Sequence, residues 1–168
     1  LYGTRYSLAV GFVSVAIAMV IGITLGAFAG YYGGMVEDII MRVTDILAAV
    51  PGLLLGAVIV ASLGASIANL MIALGLSSMP QFVRITRASV MTVRDQEYVE
   101  ASRAIGLTEW DIILSHILPN CLSPIIVTAT LRVAQNIISA SAMRFLGLGV
   151  PAPDPEWGAL LSAGRSYM

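Results

Sequence analysis

The sequence predicts an all-α fold, a polytopic bundle of transmembrane helices, on three observations. Residues 6–36 form a run of 31 without a charged side chain, and residues 46–83 form another of 38. Charged residues make up 11% of the chain, against about 25% in ordinary soluble domains, and mean hydropathy is +0.89. The remaining charges gather in short islands, the most distinctive at residues 97–119. A helix rises about 1.5 Å per residue, so about 20 apolar residues cross a hydrocarbon core about 30 Å thick. The first run therefore holds one span and the second holds two.

The first span is expected over residues 8–28. Gly22 and Gly26, extended by Gly30, form a small-xxx-small series that lets a neighbouring helix approach closely in lipid. Glycine is common in membrane helices generally, and that alone accounts for the series without a specific partner. A signal peptide is disfavoured, because Arg5 alone makes a poor basic region and the apolar run is too long.

Tyr31-Tyr32-Gly33-Gly34 reads as a turn with interfacial aromatics. Residues 37–45 carry Glu37, Asp38, Arg42 and Asp45, while Val36, Ile39, Ile40, Val43 and Ile46 or Leu47 recur at helical spacing. This predicts an amphipathic helix at the membrane surface, with Glu37 and Asp38 solvated at its N-terminus, where acids suit the dipole. Pro51 falls near the start of the second span, where its missing N–H costs least.

The 38-residue run divides at Leu63-Gly64-Ala65-Ser66, giving a hairpin of residues 46–63 and 67–82. Its second member is short and weakly polar, with Asn69, Ser77, Ser78 and Pro80. Arg84, Arg87, Arg94 and Arg103 then make residues 84–116 the densest basic segment, and short basic loops stay cytoplasmic. The chain accordingly begins outside, residues 37–45 lie inside, the Gly64 turn lies outside, and a fourth span leaves the cytoplasm near Ile117. Residues 145–157 are then external.

Inside the island, residues 96–105 lack Pro and Gly, and Gly106 tolerates the left-handed conformation that ends helices. Thr108 offers an N-cap oxygen to a second helix with Glu109 and Asp111 in its first turn. Pro119 is expected just inside the next membrane helix, marking its start. Such a hairpin presents Tyr98, Val99, Ala101, Ile105, Leu107 and Trp110 with charges at Glu100, Arg103 and Glu109, which suits docking into a groove on another protein. Small Ala101 and Ser102 allow close backbone approach. A solvated loop with its own small cluster explains the same residues equally well.

In the fourth span Arg132 falls near mid-membrane or somewhat beyond, where a charge costs on the order of 2.5 kcal/mol or more unless paired or hydrated. Thr128, Arg132, Gln135, Asn136 and Ser139 follow steps of three and four and so share one helix face. A polar stripe of this kind suits a helix lining a translocation path, with Arg132 attracting a carboxylate. A buried ion pair or snorkelling toward the outer interface is the alternative.

The chain contains no lysine, so it holds no Gly-x-x-x-x-Gly-Lys phosphate loop. One His and one Cys make no recognisable metal cluster; Cys121 reads as an inert apolar residue and His116 as an interfacial one. No Gly-x-Ser-x-Gly elbow or His-Glu-x-x-His pair is present, and a net charge of −1 gives no nucleic-acid footprint. No enzymatic site is therefore expected, and no nucleic-acid partner.

Glu100-Ala101-Ser102, three residues, Gly106, nine residues, then His116-Ile117-Leu118-Pro119 resembles the Glu-Ala-Ala loop of ATP-binding cassette (ABC) importer permeases. Tyr31-Tyr32-Gly33-Gly34, the 45–51 segment, Arg103-Ala104-Ile105-Gly106, His116 to Asn120, and Phe145-Leu146-Gly147-Leu148-Gly149-Val150 are similar to the dipeptide/oligopeptide/nickel branch. The likeness runs through essentially all of residues 1–168, which then form one permease domain with the core of a type I importer. It implies that Glu100, Ala101, Ser102 and Gly106 are central coupling positions, flanked by Arg103, Leu107 and Trp110, on a loop at about 84–116.

It also implies cytoplasmic ATPase subunits holding ATP and Mg²⁺, a second homologous permease subunit, and an extracytoplasmic solute-binding protein, in surrounding lipid. No cofactor is expected in this chain. The location implied is a bacterial or archaeal cytoplasmic membrane crossed several times. Relatives normally add a span before this region and one after it, the approach to the latter resembling Trp157-Gly158-Ala159-Leu160-Leu161, so the chain is expected to be part of a longer subunit. Ser102 and His116 depart from the usual Ala and Ile, and Ala140-Ser141-Ala142-Met143-Arg144 stands where relatives carry Glu-Ala-x-Leu-Ser. The alternatives are a secondary transporter or channel without an ATPase, and a structural membrane anchor.

Overall fold

The computed structural model describes residues 2–145, and among these every regular element is helical. The motif at 146–150 and the segment at 157–161 lie outside the described residues. Helix α1, Tyr2–Tyr32, takes up the first uncharged run. Gly33 and Gly34 follow with φ of 66° and 53°, a left-handed pair that only glycine adopts without strain. The chain then enters α2, Gly34–Ala49, the amphipathic helix with Glu37 in its first turn.

The span expected over residues 46–63 is broken. Val50 is extended (φ −88°, ψ 126°), as the residue before a proline prefers, and α3 begins afresh at Gly52–Leu63 with Pro51 as its N-cap, bent by 87° from α2. At 12 residues, α3 is about 18 Å long and too short to cross a membrane alone. Asn69 closes the Gly64 turn, donating from Nδ2 to the Leu63 and Gly64 carbonyls at 2.9 Å, while its amide N donates to Ser66 Oγ.

Helix α4, Ile67–Arg94, runs through Pro80 and well past Phe82. Arg84, Arg87 and Arg94 therefore stand on the helix rather than in a loop. After Asp95 come α5, Glu97–Ala104, and the short α6, Glu109–Asp111, which passes into a π-helical turn at Ile112–Ile117, a 3₁₀ turn at Leu118–Cys121, and α7, Leu122–Phe145. Pro119 lies inside this 37-residue helical stretch, not at the start of a helix. The wider turn before it accommodates the ring: Leu118 N–H reaches back five residues to the Ile113 carbonyl. Among the described residues two helical stretches, Gly3–Tyr32 and Glu109–Phe145, have the length and apolarity of a span, or three if α2 and α3 count as one. The sequence suggested four; α4 has the length but too many polar residues along it.

Those polar residues are tolerated because α4 is enclosed. It packs along α1 more extensively than any other pair of helices packs. A Cβ on Gly22 would overlap Phe82, one on Gly26 would lie 2.6 Å from the Val83 carbonyl oxygen, and one on Gly30 would lie 2.8 Å from that of Arg87. The glycine series thus has a specific partner, which the commonness of glycine had argued against. Arginines on α4 fasten the same seam. Arg94 Nη1 donates to the Gly30 carbonyl at 2.8 Å, capping the end of α1; Arg87 Nε donates to Glu37 at 2.8 Å; and Arg84 pairs with Asp45 at 2.7 Å. Glu37 is therefore a tie to α4 rather than a solvated acid.

Two apolar clusters fill the interior. One gathers Val15, Ala18, Phe82, Val90, Val99, Ile112, Ile117 and Ile125; the other gathers Val10, Val60, Leu70, Leu74, Ala140 and Met143. At their boundary three helices meet through polar groups: Ser78 Oγ donates to Asn136 Oδ1 at 2.9 Å, and Asn136 Nδ2 donates to Ser14 Oγ at 2.9 Å. Met143 reaches over Gly56 to bring α3 against α7.

Gly26→Leu should separate α1 from α4, because the clash is with backbone that cannot swing aside, at a cost at the upper end of the about 1–3 kcal/mol usual for overpacking. Thermal unfolding in detergent should show a large drop in midpoint, whereas Val20→Leu, on the exposed face of α1, should leave it unchanged.

Candidate functional site

Two features stand out on this scaffold: an exposed helical platform at one end and a polar cavity between helices. The platform is α5 with the turn that follows it. Helix α5 ends because Gly106 takes φ 84°, which lets Gly106 N–H bond the Arg103 carbonyl at 3.0 Å and Leu107 N–H bond the Ser102 carbonyl at 3.3 Å. These two bonds are the Schellman pattern, so the last carbonyls of α5 are satisfied and the chain reverses in a fixed direction. Thr108 then caps the next turn, accepting from Asp111 N–H at 3.3 Å and donating to Asp111 Oδ2 at 2.6 Å. Both ends of the reversal were legible in Gly106 and Thr108.

Glu100, Ala101, Arg103, Gly106, Leu107 and Trp110 are exposed. Ser102 is not: it is 6% accessible, and its hydroxyl donates to the Tyr98 carbonyl at 2.7 Å, so it supports the platform from beneath. Val99, expected on the docking face, is fully buried against the core and is corrected accordingly; helical geometry puts it three residues from Ser102 on the same inward side. The platform rests on the end of α1, where the Arg103 guanidinium lies over the Tyr31 ring at 5.6 Å and Trp110 meets Phe28 edge-on at 5.6 Å. Nothing local marks Phe28 and Tyr31 for this role, since they lie about 70 to 80 residues away along the chain.

The cavity encloses about 250 Å³ between α3, α4 and α7. Arg132, Gln135, Asn136 and Ser139 line it from α7, as their spacing predicts, with Ser77, Ser78 and Leu74 of α4 opposite and Gly52 and Leu53 of α3 at its edge. Thr128 is the exception. It is buried, does not reach the cavity, and spends its hydroxyl on the Pro124 carbonyl at 2.8 Å. Ser77 and Ser78 were visible only as polarity in an apolar helix, and Ser14, which holds Asn136, gave no signal at all. Among the described residues, no ionisable side chain besides Arg132 lines the cavity.

A helical chain with membrane-crossing stretches, a polar cavity between its helices and a capped platform at one end has the build of a membrane protein with a polar interior site. Known proteins agree. The profile of binding-protein-dependent transport system inner membrane components matches residues 22–168, and the chain belongs to that family. It is 45% identical over 168 residues to the glutathione transport system permease protein GsiD of Pectobacterium atrosepticum, covering 100% of this chain and 56% of that protein. It is 47% identical over 167 residues to the dipeptide transport system permease protein DppC of Alkalihalophilus pseudofirmus, covering 99% of this chain and 55% of that protein. The chain thus spans about half the length of the curated relatives it matches. In fold it is similar to a chain of the MetNI methionine ABC transporter in an inward-facing conformation, with a TM-score of 0.75 at 19% identity, covering 98% of this chain and 88% of that one.

Asn136→Ala would leave the Ser78 hydroxyl without its partner, whereas Ser14 keeps its bond to the Val10 carbonyl, and a buried polar group left unpaired costs about 1–3 kcal/mol. Denaturation should show that loss, and the double variant with Ser78→Ala should recover part of it. At the platform, Gly106→Ala should raise amide exchange at residues 103–107 by straining the left-handed turn, at a cost of about 1 kcal/mol.

Proposed function

We propose that the chain is the membrane-spanning permease portion of an ATP-driven ABC importer, moving a peptide or related small solute by alternating access. Its drive comes from a separate cytoplasmic ATPase, which holds ATP and Mg²⁺ and docks on α5; this chain performs no catalysis. A second permease subunit completes the pathway, and an extracytoplasmic binding protein delivers the solute. The setting is a bacterial or archaeal inner membrane, crossed several times.

The observation that carries this reading is the exposed α5 with its Gly106 reversal, bearing the Glu100-Ala101-Ser102 pattern on a family member. The names of the glutathione and dipeptide relatives support a peptide-like solute. Physically, the platform has two outlets for force. Arg103 on Tyr31 and Trp110 on Phe28 bear on the end of α1. The helical stretch from Glu109 to Phe145 runs from the platform to Arg132 and Gln135 at the cavity. A push on α5 therefore bears on both the α1–α4 seam and the wall of the cavity. Bistable packing of such helices is the usual means by which a small displacement becomes an opening or a closing.

Gly106→Pro, which cannot adopt a positive φ, and Glu100→Arg, which reverses an exposed charge, should leave the protein in the membrane while ATP-dependent uptake falls to background. The wild-type chain should co-purify with a nucleotide-binding subunit, and both variants should lose it or its coupled hydrolysis. Uptake that persists without ATP, with no such subunit bound, would replace this reading with a secondary transporter or channel.

A further inference from the structure

We propose that the cavity is an anion subsite, which takes the carboxylate end of the transported solute on Arg132 while Gln135 and Ser139 hydrogen-bond the group behind it. The proposal rests on the permease reading and adds which end of the solute this wall holds.

Among the described residues six polar side chains line the cavity, and three are already spoken for. Ser77 Oγ donates to the Leu74 carbonyl at 3.0 Å, Ser78 Oγ donates to Asn136 Oδ1 at 2.9 Å, and Asn136 Nδ2 donates to Ser14 Oγ at 2.9 Å. The other three, Arg132, Gln135 and Ser139, make no hydrogen bond among the described residues. They lie at steps of three and four on one face of α7, so their free donors converge on one volume.

Charge sets the sign of the ligand. Arg84, Arg87 and Arg94 each have a carboxylate within 4.0 Å, but among the described residues no carboxylate pairs with Arg132, and no Asp, Glu, His or Cys lines the cavity. A lone guanidinium about midway along α7 is costly in an apolar setting unless hydrated or matched by an anion. Its planar fork fits a carboxylate through two parallel bonds. The same wall offers an ammonium group or a metal ion only neutral amide and hydroxyl oxygens beside the repelling Arg132, and among the described residues no carboxylate, imidazole or thiolate. At about 250 Å³ the cavity falls below the about 300–1,000 Å³ of complete small-molecule sites, so it suits one end of a solute with the rest projecting beyond this wall.

The test uses the full-length protein in its assembled membrane complex, with Ser77→Cys as a reporter in the cavity and the buried Cys121 replaced by alanine. An anionic sulfonatoethyl methanethiosulfonate should modify the reporter about tenfold faster than its cationic trimethylammonium counterpart, each rate taken relative to free thiol, as a nearby unit charge in a partly dry cavity requires. Arg132→Gln should abolish that preference and Arg132→Lys should keep it. A dipeptide with a free C-terminus should slow labelling, and its C-terminal amide should not. A preference that survives Arg132→Gln, or equal protection by acid and amide, would overturn the subsite. If Arg132→Gln does not assemble, the acid and amide comparison on the Arg132-bearing complex decides the matter. Labelling needs no ATP hydrolysis, so its failure leaves coupling intact, and loss of coupling leaves the labelling result standing.

Discussion

The rest of the structure depends on how closely α1 can lie against α4. Gly22, Gly26 and Gly30 remove the side chains that would hold the helices apart, and the α4 backbone at Phe82, Val83 and Arg87 occupies the space. In lipid there is no hydrophobic force between helices, so close van der Waals packing must supply the association. Only an approach of this kind lets Arg94 reach the Gly30 carbonyl and Arg87 reach Glu37. Half-exposed Arg84 and Asp45 contribute little beyond that, since exposed ion pairs are worth about 0–1 kcal/mol.

The seam also sets the position of everything that bears on function. Ser14 on α1 and Ser78 on α4 are brought to either side of Asn136, between the two apolar clusters. Slippage of any of the three helices along its axis would leave a buried amide or hydroxyl unpaired. That penalty fixes the register of α7, and with it the inward aim of Arg132, Gln135 and Ser139. At the other end, Phe28 and Tyr31 on the last turn of α1 form the floor under Trp110 and Arg103. The same helix therefore carries the platform and anchors the cavity wall.

Where the sequence reading erred, a local signal was overruled by contacts distant along the chain. The 46–63 span was read from apolarity, but Pro51 and the extended Val50 break it, a backbone effect that hydropathy does not register. Arg84, Arg87 and Arg94 read as loop charges, yet they sit on α4 because acids and carbonyls of α1 and α2 accept them there. Pro119 read as a helix start, but the π-helical turn before it absorbs the ring inside a longer stretch. Val99 reads as a docking residue from its place in the island, but it is buried in one cluster with Ile112, Ile117 and residues of α1 and α4.

By itself the sequence determined what is local or periodic. The uncharged runs gave the helical membrane class, Gly106 and Thr108 gave the platform's reversal, and the three-and-four spacing gave the face of α7. These follow from bonds and faces spanning at most a few turns, which composition and order encode directly. The tertiary structure alone decided which glycines meet which backbone, which polar residues are already satisfied, and hence that Arg132, Gln135 and Ser139 have no hydrogen-bond partner among the described residues while Thr128 and Asn136 do. Satisfaction of a hydrogen-bonding group depends on a partner in three dimensions, and Ser14 and Asn136, 122 residues apart, carry no mark in the sequence that they are neighbours.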